Sequence, residues 1–155
     1  MKGELPADVS GPVNPVTTAS GNDWTTVEFG AVIVKNSNGS FGALNDMIYS
    51  SDQPAYAAVP SGVGQAVQGL WHTHSTQDPG QRPIARYPSP GDWSALARIA
   101  GQSGAALDPS LWITGPDGVT REFKLSDRAS IESLSSDQMR NGEGLEGKER
   151  AQSCG

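Results

Sequence analysis

From Thr25 to Lys35 the chain passes from Thr-Thr-Val-Glu into a Gly-containing apolar run, Phe29–Val34, which predicts a strand. Val27, Phe29, Ala31 and Ile33 share one face, and Glu28, Gly30, Val32 and Val34 the other. Asn36-Ser37-Asn38-Gly39 is a turn signal, and Ser40–Leu44 can return as a hairpin partner. Met47–Val59 is ambiguous, with short strands expected around Ile48 and Tyr56–Val59, and Pro60–Gly64 reads as a loop. Ala66–His74 has the pattern of a further strand. The period then changes: in Pro90–Ala100, Trp93, Leu96 and Ile99 or Ala100 recur at helical spacing, with Ser89 as a natural N-cap and Pro90 suited to the first helical position. Leu111–Thr114 and Val119–Leu125 flank Gly115-Pro116-Asp117-Gly118, a hairpin expected to extend the sheet beside the Ala66–His74 strand. Ile131 and Leu134 mark a modest helix over Ser126–Met139, capped by Ser126 or Asp127. The predicted fold class is α+β: a mixed, mostly antiparallel sheet, one main helix after the Ala66–His74 strand, and a short C-terminal helix.

Outside these elements the pattern fades. Residues 1–23 are rich in Pro, Gly, Ser and Asn and read as an extended arm or linker, with the fold starting at Trp24. Residues 24–126 form the main domain, and 127–155 the terminal helix and a Gly-rich, charged tail expected to be disordered from Asn141 on. A net charge of −6 over 155 residues, with pI near 4.7, argues against a nucleic-acid-binding surface, which needs clustered Lys and Arg. No apolar run approaches the length of a membrane span, and the opening residues carry no secretory-signal pattern. Localisation is open on these grounds. The single Cys154 cannot form an internal disulfide.

The chemistry concentrates in Gly69–Leu96, which holds both histidines of the chain. On a strand, His72 and His74 point to the same side, roughly 6–7 Å apart, and can converge on one ion. Catalytic zinc usually takes three protein ligands and a water, so a carboxylate must complete the set. Asp92 is the best candidate, because the first turn of the predicted helix aims it back at the preceding chain; Asp78, in the Pro- and Gly-rich loop 75–88, is the alternative. Ser89-Pro90-Gly91-Asp92 also reads as a capping box, with Ser at the N-cap and Asp at N3. The two readings are compatible, since a helix start is a rigid mount for a ligand. Glu28 is a carboxylate early in a strand otherwise expected to be buried; it is either an edge-strand surface residue or a paired or metal-proximal group.

His72-Thr73-His74 followed by Ser89-Pro90-Gly91-Asp92 resembles the signature of the JAMM (MPN-plus) zinc metalloproteases, and Glu28 fits the glutamate that this family carries on an earlier strand. The resemblance covers roughly Val27 to Leu125 and is closest to the JAMM-like domains of bacterial polymorphic, RHS-type toxins. It implies a JAMM/cytidine-deaminase-like core and one zinc ion per chain, held by His72, His74 and Asp92. It also implies Glu28 as the proton acceptor and Ser89 as the oxyanion donor. The activity implied is hydrolysis of a peptide or isopeptide bond, with a protein or peptide substrate. The setting is an effector domain exported as part of a larger toxin or acting in a target cell, with a cognate immunity protein as expected partner. A non-catalytic interaction module of the same fold is the alternative. The spacer 75–88 is longer than is common in the family and reads as an insertion, with Arg82, Arg86 and Tyr87 expected to contact substrate.

Overall fold

The computed structural model describes residues 28–43, 48–50, 66–74, 76, 78–101 and 105–150. The expected arm over 1–23, the short strand at 56–59 and Cys154 lie outside the described residues. The fold class is α+β, as the hydrophobic pattern predicts. Among the described residues, seven strands form one sheet: β1 (Glu28–Lys35), β2 (Phe41–Ala43), β3 (Ile48–Ser50), β4 (Ala66–Thr73), β5 (Ser110–Thr114), β6 (Thr120–Lys124) and β7 (Glu149–Arg150). Their order is β2-β1-β4-β5-β6-β7, with β3 also paired to β1. Every pairing is antiparallel except β4 with β5. That parallel pair requires a crossover, supplied by the main helix α1 (Pro90–Ala100). The β5–β6 hairpin extends the sheet beside β4, as its Pro-Asp-Gly turn predicts.

The apolar face of α1 presents Trp93, Leu96 and Ile99, each at most 2% exposed, to one side of the sheet. Val32, Val34, Val67, Leu70, Leu111, Ile113 and Phe123 complete that core from the strands. Val67 and Leu70 are three positions apart and on a regular strand would face opposite sides. A bulge reconciles them: Ile33 is opposite Gly69 while Val34 is opposite Val67, so Gln68 is the extra residue. The bulge resets the alternation so that Leu70, and with it His72, falls on the α1 side. Gly69 is needed there because a Cβ would lie 1.8 Å from the Ser110 carbonyl oxygen of β5.

The single terminal helix expected over Ser126–Met139 is divided. A 3-10 turn (Leu125–Asp127) leads into α2 (Arg128–Glu132), and α3 (Ser136–Arg140) starts afresh with its own Ser135 capping box. Ser133 and Ser135 are poor helix-interior residues, and the Ser135 hydroxyl caps α3 by accepting the Gln138 N–H.

The expectation of a disordered tail from Asn141 fails for residues 141–150. Leu145, 9% exposed, joins the core. β7 pairs with β6, and Arg150 donates to the buried Glu122 carboxylate at 2.7 Å. Gly142, Gly144 and Gly147 have φ of +80°, +77° and +72°, so the glycines serve successive turns instead of slack chain. Among the described residues, no helix is long and apolar enough to cross a membrane.

Candidate metal centre

His72 lies near the end of β4, opposite Gly30 of β1 and beside Ile113 of β5. His74 follows one residue past the strand, its backbone N–H still donating to Thr114 at 2.9 Å. Their rings meet edge to face, 4.7 Å between centroids. Asp92 comes from the first turn of α1, where a full capping box forms: Ser89 Oγ accepts the Asp92 N–H at 3.3 Å, and Asp92 Oδ2 accepts the Ser89 N–H at 2.6 Å. The cap thus holds the carboxylate against the two imidazoles.

The three side chains are 11%, 10% and 7% exposed, in the order His72, His74, Asp92. His72 Nε2 is 2.9 Å from His74 Nε2 and 3.1 Å from Asp92 Oδ1; His74 Nε2 is 3.2 Å from Asp92 Oδ2. The other ring nitrogen of His74 lies 3.0 Å from the Ala85 carbonyl oxygen. That oxygen can only accept, so Nδ1 of His74 carries the hydrogen. Nε2 of a neutral His74 is therefore a lone pair, aimed at a carboxylate oxygen and a second ring nitrogen. A His72 Nε2–H donating to that lone pair, an imidazolium, or a cation shared by all three groups each satisfies the arrangement. Burial by itself would raise the Asp92 pKa, but the charge of His72 and hydrogen bonds from His72 and His74 outweigh it and hold the carboxyl well below the usual range. Asp92 is thus a carboxylate anion at neutral pH.

The donor set fits a metal. The ligand atoms lie within 4.8 Å of one another. Tetrahedral bonds of 2.0–2.1 Å put ligand atoms roughly 3.4 Å apart, close to the 2.9–3.2 Å separations here. The His72–His74–Asp92 group could hold a metal ion, with Nε2 of each imidazole as the ligating atom.

The other expected residues are placed as follows. Ser89 is exposed at the cap, and among the described residues its hydroxyl hydrogen has no acceptor. The Glu28 backbone opens β1, two positions before Gly30, the partner of His72; its side chain lies outside the described residues. Asp78 is exposed and its Oδ1 accepts the Gly80 N–H at 2.8 Å, a turn contact away from the three donors. Arg82 is exposed. Arg86 and Tyr87 do not have the substrate-facing placement expected of them. Tyr87 is 2% exposed with its hydroxyl on the Glu143 carbonyl, and Arg86 is spent on backbone carbonyls of its own loop and of α3. Sequence reading missed Ala85, whose carbonyl orients His74. Main-chain acceptors leave no side-chain signature.

Against family models, curated proteins and solved structures, the chain shows no match.

Proposed function

We propose that this chain is a zinc-dependent peptidase or isopeptidase that hydrolyses an amide bond with an activated water. The observation that carries the reading is the convergence of three metal-ligating atoms, from His72, His74 and Asp92, in a nearly buried site whose carboxylate is fixed by a helix cap. Two imidazoles and a carboxylate, with a fourth position left open, make a donor set of catalytic zinc. Zinc, when bound, supplies Lewis acidity that brings the pKa of water towards about 7. Strand alternation puts position 28 on the face shared by Gly30 and His72, and Glu28 takes the water's proton and delivers it to the leaving amine. Ser89, whose hydroxyl already accepts from Asp92 N–H, has its own hydrogen to donate to the developing oxyanion. The order His-x-His, then Ser-x-x-Asp, resembles the JAMM-like toxin domains. It supports an effector domain of a bacterial toxin or secreted protein, with a protein or peptide substrate and a cognate immunity protein as partner.

The test pairs metal content with turnover. Purified protein should carry near one zinc per chain by elemental mass spectrometry and cleave members of a peptide and isopeptide-conjugate panel. Glu28→Gln should keep the zinc and lose the cleavage. A chain that takes up no zinc when supplied with it overturns the reading and leaves a non-catalytic interaction module.

A further inference from the structure

We propose that the C-terminal segment Met139–Arg150 is a strap that positions the His74 ligand, acting through Arg86 and Tyr87. The inference rests on the metal-centre reading above and adds residues that the site motifs do not contain. His74 lies beyond the last residue of β4, and the Ala85 carbonyl at 3.0 Å from its Nδ1 helps to set its ring orientation and tautomer. Ala85 sits in a three-residue 3-10 turn, Ile84–Arg86, none of whose side chains is buried. The turn is half-buried, and its backbone bonds, Ala85 N–H to the Gln81 carbonyl at 2.9 Å and Tyr87 N–H to the Ile84 carbonyl at 3.0 Å, tie it only to its own loop.

Its fixing comes from the strap. Arg86 Nε donates to the Pro83 carbonyl at 2.9 Å, closing the turn on itself. Arg86 Nη2 donates to the Met139 and Arg140 carbonyls at 3.2 and 3.4 Å. These carbonyls end α3, where backbone acceptors lack helical partners and a cation is favoured. The Tyr87 hydroxyl donates to the Glu143 carbonyl at 2.8 Å, and its ring is buried in the core. The strap is in turn anchored at its far end by Leu145 in the core, Lys148 on Asp127 at 2.7 Å, and Arg150 on Glu122 at 2.7 Å. A path of packed and hydrogen-bonded groups thus runs from residues 139–150 through Arg86 and Tyr87 to the Ala85 carbonyl and the His74 ring. Outer-shell partners of this kind set the tautomer and aim of a ligating imidazole. Arg86 and Tyr87 are positioning residues: neither faces the metal centre.

Cobalt(II) is the probe, because its visible d–d absorption reports ligand geometry independently of stability. Wild-type protein, Arg86→Met and Tyr87→Phe are titrated with Co²⁺, and each metal-free form is melted. Arg86→Met should weaken Co²⁺ binding roughly 10–100-fold and shift the d–d bands, the effect typical of lost outer-shell partners. Tyr87→Phe, which keeps the buried ring and removes one hydroxyl, should shift both in the same direction by less; it also serves if Arg86→Met does not fold. Lower melting temperatures with unchanged affinity and bands in both variants overturn the strap while leaving the metal centre intact. Failure of the wild type itself to bind Co²⁺ overturns the metal centre and the strap's role with it.

Discussion

Replacing Asp92 by asparagine keeps the shape of the side chain and removes its charge, and the geometry shows that the amide cannot meet both of its obligations. Oδ2 accepts the Ser89 N–H at 2.6 Å, and Oδ1 faces His72 Nε2 at 3.1 Å. With the amide oxygen turned to Ser89, the cap survives and that oxygen still faces His74 Nε2 at 3.2 Å, but an NH₂ points at His72 Nε2, where it repels a cation. With the oxygen turned to the imidazoles, the NH₂ meets the Ser89 N–H, and the cap is lost. The cap alternative costs about 1 kcal/mol, the scale of an N-terminal capping interaction. The ligand alternative costs more: outer-shell partners alone are worth roughly 10–100-fold in metal affinity, so losing the one anionic ligand must exceed about 100-fold, or about 2.7 kcal/mol. In the metal-free variant no ion competes for the amide oxygen, so the amide keeps the cap. The metal-free variant should melt within a few degrees of wild type, while zinc affinity, measured against a chelating dye, falls more than about 100-fold. Unchanged zinc affinity in a folded variant refutes the assignment of Asp92 as a ligand, and Asp78→Asn becomes the next variant to measure. A large loss of metal-free stability refutes the reasoning about which contact the amide keeps.

Ser89→Ala removes a cap acceptor and the proposed oxyanion donor together, and these separate by assay. Thermal unfolding should show a loss of about 1 kcal/mol, zinc content should be unchanged, and kcat should fall roughly 10²–10³-fold; an unchanged kcat removes Ser89 from the chemistry. Glu122 contributes to the acid limb of stability. Burial would raise its pKa, but the Ser110 hydroxyl, Arg150 and Lys124 outweigh it and lower the value from 4.5. A depressed carboxylate stabilises the fold fully above its unfolded pKa and loses that contribution as pH falls from about 4.5 through the lower folded value. Glu122→Gln should therefore be less stable than wild type at pH 7, with the gap narrowing below about pH 4.5 in urea melts; a gap that does not change with pH shows that the charge is not what matters.

What the sequence made legible was local. His72-Thr73-His74 declares its shared face through strand alternation, and Ser89-Pro90-Gly91-Asp92 declares a helix start, because caps and periods are written within a few residues. Three features were hidden, each for a physical reason. The Gln68 bulge depends on how two neighbouring strands register, which no single strand encodes. The ties of Arg86 and Tyr87 span more than fifty residues and end on carbonyls, which every residue has. The segment 141–150 has a composition read as disorder, yet Leu145 and the spaced glycines were its signal: turn glycines around one apolar anchor build an ordered strap.

The overlap of cap and ligand at Asp92 has a consequence for how the centre binds a metal. A carboxylate free to rotate loses conformational entropy when it ligates, and an aspartate freed of its rotamers would bind an ion more weakly. Here the Ser89 N–H at 2.6 Å has already chosen the rotamer, and the Ala85 carbonyl at 3.0 Å has already chosen the His74 tautomer. His72 is set by the sheet itself, between β1 and β5. Each of the three candidate ligands is thus oriented by a main-chain feature of a different element: a helix N-terminus, a 3-10 turn and a strand register. Without a metal, hydrogen bonds among His72, His74 and Asp92 hold the same three atoms together, and a bound ion would take their place. A metal bound there should make the protein measurably more stable, by an amount that grows with the logarithm of the free metal concentration over Kd.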